Sequence, residues 1–384
     1  TTALRMLGEQ FYRSQEFARA IDYFSGAGSR ADPREAAIGK AMAEIGLERF
    51  AAARETLEAG ASRYSTDARF PLWLGVAYEG EAEFELSRQY YRQAMQIDPS
   101  DVRPVVRLAL LAARERKPGD ALRLLDEAVA VRSQDAASWN AIGEMYLRIG
   151  ETNRAVSAFR ESLRIDQSEP DARMNLAQYY LDSDQQSRAL DLLGSMIEAG
   201  IEAPRVRYLN ARALLGQRAF DRAVEELLVL QEAEPRNADY LFLMGRVHFE
   251  AGNFLPARAQ FVRAWEEAPT MEAAQYYIGR TDLELGQYNE AITSLTSVAH
   301  RSPRGDYHYY LGVALEKGGQ PAAALAEYDT TVNGDIAWSL ENPEVFTRRG
   351  RLYFMRGALG AAYRDLRTAL VLRPADAEAA YLLG

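Results

Sequence analysis

The sequence predicts an all-α chain: a right-handed α-solenoid superhelix of about eleven helix–turn–helix units followed by a terminal half-unit. Three observations predict it. A hydrophobic residue followed by a small one returns about every 34 residues. An alanine follows that small residue by twelve positions in nearly every unit. A large apolar side chain then follows the alanine by four.

The dipeptide Leu7-Gly8 sets the register. Its counterparts are Leu74-Gly75, Leu108-Ala109, Ile142-Gly143, Leu176-Ala177, Asn210-Ala211, Met244-Gly245, Ile278-Gly279, Leu311-Gly312, Arg349-Gly350 and Leu383-Gly384. The alanine series runs Ala20, Ala53, Ala121, Ala155, Ala189, Ala223, Ala257, Ala291, Ala324 and Ala362, with Ser87 in the third repeat. Phe24, Tyr91, Phe159, Phe261 and Tyr328 represent the large apolar position. Each unit therefore holds two stretches of helical apolar spacing, each three to four turns long.

Gly150, Gly252, Gly286, Gly319 and Gly357 fall between the two stretches, where a tight turn demands positive φ. Pro99, Pro235, Pro269, Pro303 and Pro374 close units by refusing to continue a helix. The small residue lets the paired helix approach, the alanine twelve later faces it, and the aromatic fills the groove toward the next unit. One helix pair cannot bury its own apolar face, so the units must stack.

This pattern resembles the tetratricopeptide repeat. The best-matching stretches are "WNAIGEMYLRIGETNRAVSAFRESL" (139–163) and "YIGRTDLELGQYNEAITSLTSVAHRSP" (277–303). The resemblance covers almost the whole chain and implies a single superhelix over 1–384, with the first helix of each pair lining the concave side. Three departures stand out. The repeat at 34–67 is a weak match that lacks the usual aromatics. An insertion at 332–344, "VNGDIAWSLENPE", stretches the period by about four residues and carries Trp338. That tryptophan reads either as a recognition residue or as a side chain folded back over a helix end. Residues 376–384 read as a capping or truncated helix.

Composition narrows the function classes. The chain has 384 residues and a net charge of −10, which disfavours nucleic acid and anionic membrane surfaces as partners. No apolar window is long enough to span a membrane, so direct insertion is not expected. Cysteine is absent, which excludes disulfides, thiolate metal sites and a cysteine nucleophile. Lysine occurs only at Lys40, Lys117 and Lys317, so arginine supplies nearly all the positive charge. That bias fits a GC-rich bacterial genome. The chain opens at Thr1 rather than Met, which reads as removal of an upstream segment. With the missing cysteines, it makes a bacterial periplasm or cell envelope the setting expected ahead of the cytoplasm.

Catalytic patterns are missing. The three histidines, His248, His300 and His308, form no zinc motif, and His248 takes a slot held elsewhere by Tyr78, Tyr146 and Tyr353. No nucleophile elbow, phosphate loop or dinucleotide fingerprint is present. Neither catalysis nor a cofactor is expected.

The resemblance assigns inward positions to the second, fifth, sixth, ninth, twelfth and thirteenth residues of each unit. The fifth and ninth share a helix face. They are apolar in repeats two to four, as at Ile38, Met42, Leu72, Val76, Val106 and Leu110. Repeats five and six are more polar, with Asn140, Glu144, Met174 and Gln178. From repeat seven onward they pair an aromatic with an arginine: Tyr208 with Arg212, Phe242 with Arg246, and Tyr276 with Arg280. Tyr309 and Arg351 continue the series. Packed helices lie about 8–10 Å apart, so these arginines should follow one another at about 10 Å and could meet an extended acidic segment.

A structural reading competes with that one. Arg246 has Glu250 four residues on, and Arg280 has Glu284, so ordinary intrahelical ion pairs could account for both. The aromatics could pack on neighbouring helices, or the groove could be filled by the chain's own last helix or a second copy. Two named sub-families fit poorly. The lysine-based clamp for a terminal carboxylate lacks its lysines at the inner positions of repeats one to nine. The asparagine ladder of superhelices on sugar-transferring enzymes is matched only by Asn175. The expected function is a non-catalytic adaptor or scaffold for a protein or peptide segment. A self-associating structural array and a regulatory region of a larger enzyme are the alternatives.

Overall fold

In the computed structural model, Tyr12 and residues 16–27, 32–131, 133–201 and 203–384 are described. Leu7-Gly8, which sets the register above, lies outside them. Among the described residues there are 23 α-helices and no strand. The chain forms two compact units, Thr1–Tyr180 and Leu181–Gly384.

Within each unit, consecutive helices pack as antiparallel pairs. Phe50–Arg63 against Arg69–Gly80 and Ala136–Arg148 against Thr152–Ile165 are examples in the first unit. Ala238–Glu250 against Phe254–Glu267 and Gly305–Lys317 against Pro321–Gly334 are examples in the second. The closing prolines work as expected: the helices ending at Ile97, Ala233, Glu267 and Leu372 all stop two residues before one.

The repeat register explains the core. Ala20, Ala53, Ala121, Ala155, Ala189, Ala223, Ala257, Ala291 and Ala324 are completely buried, as is Ser87. The immediate neighbour of the small residue, however, is the large side chain four residues beyond the alanine. A methyl built on Gly143 would sit 2.5 Å from the Phe159 ring, and one on Gly245 2.6 Å from Phe261. The aromatic therefore presses on its own repeat as well as on the next one. Where the small residue is alanine, the partner shrinks to leucine: Ala41 with Leu57, Ala109 with Leu125, Ala177 with Leu193 and Ala211 with Leu227. Close packing keeps the large ring to repeats with glycine, while Gly279 and Gly350 also face leucines, Leu295 and Leu366.

All five predicted turn glycines have positive φ, from 74° to 84°. The same slot in other repeats holds Glu48, Ala82, Arg116, Asp184 and Arg218, with φ from 57° to 62°. The turn geometry is thus kept even where glycine is not.

The departures take definite forms. The weak repeat builds the ordinary helices Pro33–Gly46 and Phe50–Arg63. The insertion contains a short helix, Ile336–Glu341, whose Ser339 is buried and donates to the Asp335 carbonyl at 2.9 Å. Trp338 folds back onto Tyr309, with ring centroids 5.2 Å apart. The Ala377–Leu383 helix packs against Glu344–Met355 and Leu359–Leu372 and is capped by Asp376, which accepts from the Ala379 N–H.

Candidate protein-interaction face

Five first helices of the second unit carry the aromatic and arginine series: Pro204–Gly216, Ala238–Glu250, Glu272–Glu284, Gly305–Lys317 and Glu344–Met355. Helical spacing puts each fifth and ninth residue on one face.

Tyr208 is half-buried and lies 5.8 Å from the ring of Tyr240. Burial raises its hydroxyl above the ordinary tyrosine range. Arg212 donates to Asp182 at 3.3 Å. Phe242, also half-buried, meets Phe261 at 5.6 Å and the edge of Tyr277 at 5.7 Å.

Arg246 places its guanidinium 4.9 Å above the Tyr277 ring. Its Nε is buried without a hydrogen-bond partner, and its nearest carboxylate, Glu250, stands 3.9 Å away. Among the described residues no carboxylate lies within salt-bridge distance of Arg280, so the expected pair with Glu284 does not form. Rings surround it instead: Tyr310 at 4.3 Å, Phe249 at 5.0 Å, Tyr277 at 5.5 Å and Tyr276 at 5.7 Å. These distances suit cation–π attraction to the ring faces.

Tyr276 and Tyr309 are buried. Tyr276 stacks obliquely on Tyr307 at 4.8 Å. Tyr309 accepts from Arg348 at 3.2 Å, and burial pushes its hydroxyl up to about 12. Arg351 is held by Glu316 and Glu378. The structure thus brings Phe242, Arg246, Tyr276 and Arg280 together in one cluster. Tyr208 and Arg212 belong to the preceding helix, and Arg351 to an ion-pair network.

Tyr277, Tyr310 and Phe249 complete the cluster, and comparing fifth and ninth positions alone misses them. Their signal lay in the same register, because Tyr277 and Tyr310 are sixth-position residues and Phe249 a twelfth-position one. The twelfth position also explains Arg351. Glu316 occupies it in the preceding repeat and accepts from Tyr328 at 2.7 Å and from Arg348 at 3.2 Å. Glu79 does the same in the first unit, accepting from Tyr91 at 2.7 Å and Arg114 at 2.9 Å. Opposite Arg280 and Arg246, the twelfth position holds Phe249 and Leu215 instead.

The asparagines are internal. Asn175 donates to Asn140 at 3.0 Å, and Asn210 to Glu226 at 3.0 Å. His308 Nδ1 is 2.7 Å from Glu327, and burial lowers the half-buried His248 below its ordinary value. Among the described residues no group of His, Asp and Glu is arranged to hold a metal ion, and no helix is long and apolar enough to cross a membrane.

A family model described as "Tetratricopeptide repeat" matches residues 38–102, 106–170 and 276–341, about half of the chain. The chain belongs to the tetratricopeptide repeat family. A second model, "Anaphase-promoting complex, cyclosome, subunit 3", matches residues 223–298 of this tetratricopeptide repeat chain. The mouse "Superkiller complex protein 3" is 22% identical over 339 residues, covering 75% of this chain and 22% of that protein. The human "Protein O-mannosyl-transferase TMTC1" is 20% identical over 213 residues, covering 54% of this chain and 24% of that protein. The chain therefore spans about a quarter or less of the length of these curated relatives. A solved tetratricopeptide repeat protein from Parabacteroides merdae ATCC 43184 superposes with a TM-score of 0.51 at 14% identity. That match covers 65% of this chain and 98% of the other, and it establishes the likeness of fold.

Proposed function

We propose that this tetratricopeptide repeat chain is a non-catalytic protein–protein interaction scaffold that holds an extended segment of a partner in a groove lined by its first helices. The face centres on Phe242, Arg246 and Arg280, is flanked by Tyr208, Arg212 and Arg351, and rests on the buried Tyr276 and Tyr309. One observation carries the reading. The small residue, the alanine and the large apolar residue account for packing within a helix pair, and the aromatic-plus-arginine pairs lie outside that grammar. Aromatic and arginine side chains are also the types enriched where binding energy concentrates. Tetratricopeptide repeats generally mediate protein–protein interaction, so the family supports the class of function while leaving the partner open.

The test is selection of a phage-displayed random-peptide library on the immobilised chain. Peptides should enrich over a blank surface. They should be lost on a chain carrying Arg212→Glu, Arg246→Glu and Arg280→Glu whose far-UV CD spectrum is unchanged. Equal enrichment on the folded triple variant removes this face from the proposal. No enrichment at all removes the scaffold reading.

A further inference from the structure

We infer that Arg246 and Arg280 form a preorganised acceptor for two side-chain carboxylates of an extended acidic segment in a partner protein. The inference rests on the scaffold reading above and assigns the chemistry of its partner.

The register shows what is missing. Arg351 meets a carboxylate at the twelfth position of the preceding repeat, Glu316. The same position opposite Arg280 is Phe249, and opposite Arg246 it is Leu215. Other first-helix arginines of this unit have close partners: Arg207 with Glu226 at 2.7 Å, Arg349 with Asp365 at 2.7 Å and Arg348 with Glu316 at 3.2 Å. Arg280 has none within salt-bridge distance among the described residues. Arg246 has one loose contact at 3.9 Å and a buried Nε with no acceptor.

The cations are also fixed in place. Arg280 is enclosed by four rings, and Tyr277 lies between it and Arg246. Rings satisfy the face of a guanidinium but leave its edge N–H donors without acceptors. A carboxylate reaching that edge would make charge-assisted, bidentate hydrogen bonds to a side chain already immobilised. The Tyr277 centroid lies 4.9 Å from one guanidinium carbon and 5.5 Å from the other, so the cations are within about 10 Å of each other. Residues three apart in a polyproline II segment lie on one face about 9 Å apart, at roughly 3.1 Å per residue. The fitting segment is therefore extended in that conformation, with two Asp or Glu residues three positions apart.

The test uses fluorescence anisotropy with two labelled synthetic peptides of Gly and Ser, one carrying Glu at every third position and the other Gln there. The Glu peptide should bind the chain at least about tenfold more tightly than the Gln peptide, and added salt of roughly 0.5 M should erase the difference. Arg246→Gln with Arg280→Gln should remove the preference. Equal binding of the two peptides to the unsubstituted chain overturns the proposal, and so does a preference that persists in the folded double variant. The peptide comparison on the unsubstituted chain stands even where the variant misfolds. Library peptides that enrich while the Glu and Gln peptides bind alike leave the scaffold and remove its acidic partner. Failure of both assays removes both.

Discussion

Arg349 and Asp365 close a buried, two-pronged ion pair inside the second unit, with Nε to Oδ2 at 2.7 Å and Nη2 to Oδ1 at 2.8 Å. Arg349 stands where the repeat pattern expects a hydrophobic residue, as Leu74, Ile142, Met244 or Ile278 do elsewhere. Asn210 breaks the pattern at the same position and bonds Glu226, also sixteen residues on. A polar intrusion in this slot is answered each time from the partner helix.

The pair predicts asymmetric mutant energetics. Asp365→Ala leaves Arg349 buried with only Asp329 nearby, at 3.1 Å. It should cost about 3–5 kcal/mol in urea unfolding, because the stranded charge must be desolvated. Arg349→Leu together with Asp365→Leu restores the slot's usual character and should recover most of that loss. A double variant as unstable as the single would show that the pair stabilises more than it costs to bury.

The volume exchange between the small residue and its ring predicts a measurable coupling. Gly245→Ala drives a methyl into Phe261 and should destabilise by about 1–3 kcal/mol. Phe261→Leu removes ring volume from a fully buried site and should also destabilise. Combined, they recreate the pairing of Ala211 with Leu227, so the double variant should lose less than the two changes separately, by about 0.5–3 kcal/mol. Strict additivity in a double-mutant cycle would refute the exchange.

Left-handed turns offer a stabilising change. Ala82 and Arg218 hold φ of 62° and 58° where Gly150 and Gly252 sit in other repeats. A side chain there costs about 1–2 kcal/mol, against about 0.5–1 kcal/mol for the extra freedom glycine gives the unfolded chain. Ala82→Gly and Arg218→Gly should each raise stability by about 0.5–1 kcal/mol, seen as higher thermal midpoints. Lower midpoints would mean that these side chains make compensating contacts.

How far the sequence could be read follows from what repetition reports. Positions that repeat the same residue type in many units announce themselves, so the buried alanines, the turn glycines and the helix-closing prolines are legible. Slots filled differently but equivalently are not. The exchange of Gly143 with Phe159 for Ala109 with Leu125, and the left-handed Arg116, appear only when shape is compared across repeats. At the candidate face, the series from Tyr208 to Arg351 is visible because it recurs. The cage around Arg280 is not, because Phe249 comes from the twelfth position of one helix and Tyr277 and Tyr310 from the sixth position of two others. Trp338 is a further case, since no repeat grammar says where an insertion folds.

Two buried aspartates predict opposite pH behaviour in the second unit. Burial alone would raise the Asp376 carboxyl, but the Ala379 N–H, the Thr347 hydroxyl and Arg373 outweigh it and leave the group at about 2. Its folded-state pKa thus lies below the ordinary aspartate value, so its stabilisation is present above about 4 and is lost as pH falls toward 2. Asp282 runs the other way. Burial raises its carboxyl, and the Arg258 N–H donated at 2.5 Å only partly offsets that. The folded chain then holds the Asp282 proton more tightly than the unfolded chain does, so stability declines as pH rises above about 4. Asp376→Asn should flatten the acid limb of a stability–pH profile, and Asp282→Asn should flatten the decline above it. Urea midpoints measured at closely spaced pH would separate the two, and a profile whose acid limb is unchanged in Asp376→Asn would disprove the assignment to that carboxylate.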